Sequence, residues 1–178
     1  MDKTTITKAD TLPITVQELE LWCRIDDATE EQALLETLIE AARDTAENFT
    51  GRVLTPTTVE YRFDRNQPRY TIPESPVRSI TKVEAETDAD GLTLLIEGQD
   101  YKKRITDYLT HLRLLTGRSE PTIVVTANVG YVDVDAIPKA IKQAIAIHAA
   151  SAYRGREGQD EAQETFERLL QPYRLELL

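Results

Sequence analysis

The feature that most constrains this chain is a change of hydrophobic period that happens twice. From Leu35 onward, Leu38, Ile39, Ala42, Ala46 and Phe49 recur at intervals of three and four. That spacing puts one apolar stripe along a helix of about six turns. Asp27-Ala-Thr-Glu30 offers a start for it, Gly51 a left-handed stop, and Pro56 prevents a restart. Then the period falls to two: Val59, Tyr61 and Phe63 alternate with Thr58, Glu60 and Arg62. A half-buried strand requires that alternation.

Six further strands are predicted before the period changes back. Tyr70–Ile72 is stopped by Pro73 and Pro76, and Ser79–Thr87 turns through Asp88-Ala-Asp-Gly91 into Leu92–Ile96. Gly98 and Asp100 precede Tyr101–Ile105, then Tyr108–Leu115 follows. Ile123, Val125, Ala127 and Val129 share a face beyond the Gly117–Pro121 loop. Short strands with frequent turn residues indicate an antiparallel sheet of hairpins. Beyond Gly130-Tyr131 the helical period returns, with Pro138 suited to a first turn and Ile141, Ala144, Ile145, His148 and Ala152 on one face. Gly155 and Gly158 break that run before a last amphipathic segment at 159–170, ended by Pro172. Near the start, Thr15-Val-Gln-Glu18 has the form of a capping box, opening a short helix to about Arg24 with Val16, Leu19 and Trp22/Cys23 at helical spacing.

The expected fold is therefore α+β. A helical core (short helix, long helix, two C-terminal helices) carries an inserted antiparallel β-hairpin-rich sheet at about 57–130. The expected organisation is a single domain over 1–178, with a flexible arm at 1–12 and a C-terminal docking helix and tail at 159–178.

Composition narrows the function. The 178 residues hold 21 Lys plus Arg against 31 Asp plus Glu, a formal charge of -10. Tight nonspecific nucleic-acid binding relies on cations that neutralise phosphates, so this balance opposes it. A surface past which DNA slides without adhering is compatible with it. No stretch approaches the ~20 apolar residues of a membrane-spanning helix, and the polar first residues lack the apolar core of a signal peptide, so cytosolic synthesis is expected.

Reactive chemistry finds little to work with. Cys23, the one cysteine, stands beside Trp22 on a helix and reads as a packing residue. His148 lies on an apolar helical face and reads as a core or interface histidine, and His111 is far from it in the chain. No Cys or His pair has metal-ligand spacing, and the seven glycines form no phosphate-cradling loop. Glu30, Glu31, Glu36 and Glu40 read as a solvated helix face, and Asp133 and Asp135 as acids favoured by a helix dipole. Lys102-Lys-Arg104 reads as a charged strand edge. No catalytic, cofactor-binding or metal residue is assigned. The terminal helix keeps Phe166, Leu169, Leu170 and Tyr173 beyond its glycine joint. Such a helix either packs back on its own domain or docks on a partner.

The order of motifs resembles the head–tail connector (adaptor) proteins of tailed phages, of the HK97-like siphophage type. The residues that carry the likeness run from Leu12 to Glu157. They are Leu12-Pro-Ile-Thr-Val-Gln-Glu-Leu19, Arg24-Ile-Asp-Asp27, the long helix Leu34–Arg43 running into Ala46–Leu54, Gly130-Tyr131, Ile137-Pro-Lys-Ala-Ile141 through Ile145, and Tyr153-Arg-Gly-Arg-Glu157. The resemblance implies a structural virion protein at the head–tail junction, assembled in the bacterial cytoplasm, with no enzymatic role and no cofactor. It further implies a ring of about a dozen copies beneath the portal protein, extending the DNA channel and receiving a stopper or tail-completion protein. Each copy then needs two different, complementary faces. In relatives the C-terminal segment grips the portal, which implies a portal contact at Phe166, Leu169, Leu170 and Tyr173. Arg43 and Glu47, one turn apart, are the candidates for a contact between subunits, or for a plain pair within the helix. The alternatives are another phage assembly factor (a head-closure stopper or tail terminator) and, remotely, a small enzyme.

Overall fold

A computed structural model describes residues 1–25, 30–64, 67, 69–87, 91–115, 122–155 and 159–175. The fold is α+β, and the chain divides into two compact units. One is formed by Met1–Ala9 with Pro56–Gly130, the other by Asp10–Thr55 with Tyr131–Leu178.

The first unit is built of strands β1 (Asp2–Lys8), β2 (Thr57–Phe63), β3 (Tyr70–Ile72), β4 (Val77–Thr87), β5 (Gly91–Leu94), β6 (Tyr101–Arg104), β7 (Thr110–Leu114) and β8 (Thr122–Val129). A five-stranded antiparallel sheet has the order β1-β2-β8-β4-β5, and a three-stranded one the order β3-β7-β6. Thr57, where the chain enters, pairs with Val129, where it leaves. Neighbouring ends are what allow a sheet to be inserted between two helices. Alternation along β2 sends Val59, Tyr61 and Phe63 into the core, and β8 buries Ile123, Val124 and Val125 in succession. A strand buried on both faces suits its place at the centre of the sheet. The two sheets meet through Phe63 and Tyr70, whose rings pack edge-on at 5.2 Å.

Residues 1–12 differ from the expected arm, because Asp2–Lys8 pairs along β2. All seven of its side chains are exposed, so no apolar pattern announced it. What holds it is backbone pairing, together with an ion pair of 2.7 Å from Lys3 to Glu74, whose carboxylate also accepts from the Tyr61 hydroxyl. The β-branched run Thr4-Thr-Ile-Thr7 was the available signal.

The second unit holds α1 (Val16–Cys23), α2 (Gln32–Thr50), α3 (Lys139–Arg154) and α4 (Gln159–Leu170), closed by a 3-10 turn at Gln171–Tyr173. The capping box forms as expected: Thr15 Oγ1 accepts from the Glu18 amide at 3.1 Å, and Glu18 accepts from the Thr15 amide at 2.7 Å. Gly51, at φ 71°, ends α2 by donating to the Glu47 carbonyl. The expected α2 start at Asp27 lies outside the described residues; Glu31 stands at the N-cap position without a side-chain cap bond. Pro138 sits just ahead of α3, one position earlier than a first-turn proline. Leu35, Ile39, Ala42 and Ala46 of α2 meet Ile141, Ala144, Ile145 and Ala149 of α3 in one core, while Leu38 and Phe49 are only partly buried at its margin.

Candidate assembly surfaces

The terminal helix has folded back. Phe166 and Leu170 are fully buried in the helical core, and Leu169 and Tyr173 pack partly against it. Phe166 lies between Phe49, at 6.2 Å between centroids, and His148, at 4.8 Å. The segment beyond is strapped to the end of α2: Arg52 Nε donates to the Tyr173 carbonyl at 2.7 Å, and the Leu175 amide donates to Thr50 at 2.8 Å. Arg174 lies over the Phe49 ring. Of the four residues expected at a portal contact, Phe166 and Leu170 thus serve this chain's own core. The physical reason is burial of two large side chains that α2 and α3 leave room for.

Arg43 and Glu47, the candidates for a subunit contact or a pair within the helix, each make a contact within this chain. The Arg43 guanidinium is largely buried and bonds Asp44 Oδ1 at 3.1 and 3.2 Å. Glu47 accepts from the Leu54 amide at 2.7 Å, holding the chain where it leaves the helix.

The histidines are separated by the fold, His148 in the helical unit and His111 on β7 in the other. Burial pushes the His148 imidazole below its ordinary value of 6.5. Burial, with Arg69 and Arg104 nearby, does the same to His111. A base depressed by folding binds fewer protons in the native state than in the unfolded one, so stability is complete above pH 6.5 and falls as pH drops below it. Melting temperature recorded from pH 7 to pH 5 should therefore decline for the helical unit, and His148→Phe should flatten that slope. Cys23 is half-buried, its thiol pushed up by burial against an opposing effect of Arg154. A raised thiol is a poor nucleophile. Among the described residues no group of three or more His, Cys, Asp or Glu is placed to hold a metal ion, and no helix is long and apolar enough to cross a membrane. Lys102-Lys-Arg104 forms β6, an edge strand, with Lys103 paired to Glu97 at 2.8 Å.

A surface the sequence did not announce lies on α1. Leu19 faces the core, whereas Leu21 is 80% exposed and Trp22 41% exposed. Trp22 borders two grooves. One lies between α1 and α3, with Ile14, Leu21 and Ala146 in its wall and Lys139 and Lys142 at its rim. The other runs over α3 beside α4, past Ala150, Ala162 and Arg154. The spacing offered Trp22 or Cys23 to the inward stripe, and Cys23 is the one that packs against the core. Leu21, two positions from Leu19 and so on the opposite side of the helix, was the overlooked signal.

His148 packs against Phe166 of the helical core, and α1 presents Leu21 and Trp22 beside an apolar groove, a surface suited to another protein. The sequence pattern of the phage gp6-like head-tail connector proteins matches residues 13–104. The chain belongs to that family, and it is a structural protein of the head–tail junction rather than an enzyme. No curated protein sequence matches it significantly. Solved structures with the same fold include a chain from the neck of an empty gene transfer agent particle computed with C6 symmetry, at TM-score 0.79 and 18% identity. A chain from the virion of the native particle gives TM-score 0.78 at 17% identity. One from the native neck computed with C12 symmetry gives 0.69 at 17%. Each likeness covers 100% of this chain and 97% of the other.

Proposed function

We propose that this connector assembles as a ring of about twelve copies on the portal, extends the DNA channel and receives a stopper or tail-completion protein. The observation that carries the reading is the full-length likeness to chains of a neck computed with C6 and C12 symmetry, added to membership of a head–tail connector family. The formal charge of -10 supports passage of DNA without adhesion. In this reading Phe166 and Leu170 anchor the terminal segment, and Leu169 and Tyr173, which keep part of their surface, meet the portal. Arg43 and Glu47 act on the subunit contact indirectly, by fixing the shape of α2 and its exit.

Co-purification with the cognate portal, followed by negative-stain electron microscopy, tests this. An additional ring stacked on the portal's narrow end is expected, with its copy number countable in end views. Well-formed portal rings with nothing bound would sink the reading.

A further inference from the structure

The geometry points to a specific head-to-tail contact between copies: the outer face of α2 of one copy seats in the α1–α3 groove beside Leu21 and Trp22 of the next. This rests on the ring reading above, and names the surfaces that build it.

The groove side is apolar with a net basic margin: two lysines line it against one acid, Glu18, whose carboxylate is held by the Thr15 amide at 2.7 Å. In a chain of net charge -10, Lys139 and Lys142 rim the groove that Leu21, Trp22 and Ala146 line, and Arg24 and Arg154 border the far side of the same ridge. Lys142 Nζ lies 3.9 Å from Asp135 Oδ1, a long contact. An exposed Leu–Trp pair framed by cations suits a partner that is apolar at its centre and acidic at its margin.

The outer face of α2 has that character. Leu34 is 50% exposed there, and Ala33, Thr37 and Ala41 continue the surface with small, uncharged side chains. Glu36, Glu40 and Asp44 run beside it at intervals of four, without an intervening cation except Arg43, which is buried and turned to Asp44. Small residues let a helix lie close in a groove, Leu34 supplies a knob, and the carboxylates fall where the lysine rim would meet them. The opposite side of α2 is spent on the core through Leu35, Ile39, Ala42 and Ala46. Donor face and acceptor groove are therefore different surfaces of one unit. A head-to-tail ring needs that arrangement, whereas a two-fold dimer needs one surface that matches itself.

Charge exchange tests the contact on the full chain. One variant carries Lys139→Glu and Lys142→Glu, the other Glu36→Lys and Glu40→Lys. Each alone places like charges across the contact, and each should lower ring formation on the portal by roughly tenfold or more. Mixed in equal amounts the two should recover, since an acidic groove then meets a basic α2 and every alternate contact is native. Circular dichroism melts should match wild type, because the four positions lie outside the core. Trp22→Ala should weaken the ring without rescue by either partner.

If wild type forms rings and the charge variants do so equally well, the contact is overturned while the ring stands. Loss without recovery in the mixture also overturns it, because the faces are then not partners. If the Lys139/Lys142 variant and Trp22→Ala form rings free of portal but fail to bind it, the groove receives the portal instead and the assignment is wrong. If wild type forms no ring with or without portal, the ring reading itself falls, and this contact with it.

Discussion

Phe166→Ala is expected to cost the helical unit about 3–5 kcal/mol, the range for removing a large aromatic from a packed core. Its ring is fully buried, edge-on to Phe49 and over His148, so the cavity would open between α2, α3 and α4. Thermal or urea unfolding followed by circular dichroism gives the measurement, and a change below about 1 kcal/mol would show that α4 is not part of the core. Truncation before Glu161 should be more severe. It removes Phe166 and Leu170 together and also the strap from Arg52 to Tyr173. A chain cut there should melt well below the intact protein, so its failure to join a portal would report unfolding as much as a missing contact. Substitutions at Leu169 and Tyr173 separate the two, since both keep exposed surface.

Ile39→Asp should be comparably damaging, at roughly 4 kcal/mol or more, because it places a carboxylate without a partner where α2 meets α3. Leu38→Asp should cost distinctly less: Leu38 packs at the edge of that core and an acid there can reach water. The pair compares neighbouring positions of one helix, so propensity is held nearly constant and burial alone differs. Equal losses would mean that Leu38 is as enclosed as Ile39. An unchanged melting temperature for Ile39→Asp would remove α2 from the core altogether.

The long helix, the short capped helix and the inserted sheet were legible because each writes its burial into a period. Leu35, Ile39, Ala42 and Ala46 mark one face of α2, and Val59, Tyr61 and Phe63 mark one face of β2. Strand β1 was not legible, since all its side chains are exposed and only the open edge of β2 gives it a place. The candidate site divides in the same way. Sequence pointed to apolar residues on α4 but not to the direction in which they are spent. It also left Trp22 and Cys23 as alternatives on the inward stripe, and the fold packs Cys23 against the core while Trp22 borders the grooves beside α3.

Sequence by itself determined the elements from α1 onward, their order, the capping at Thr15 and Gly51 and the family, because these depend on residues near one another in the chain or on ordered motifs. Tertiary structure alone decided which sheet edge accepts residues 2–8. It also decided that Phe166 and Leu170 close the helical core, and that Leu21 and Trp22 stand beside a lysine-rimmed groove. An amphipathic stripe records that a face will be covered, and the same burial energy is gained whether the cover is the chain itself or another copy. Only the arrangement of the other helices settles which one it is.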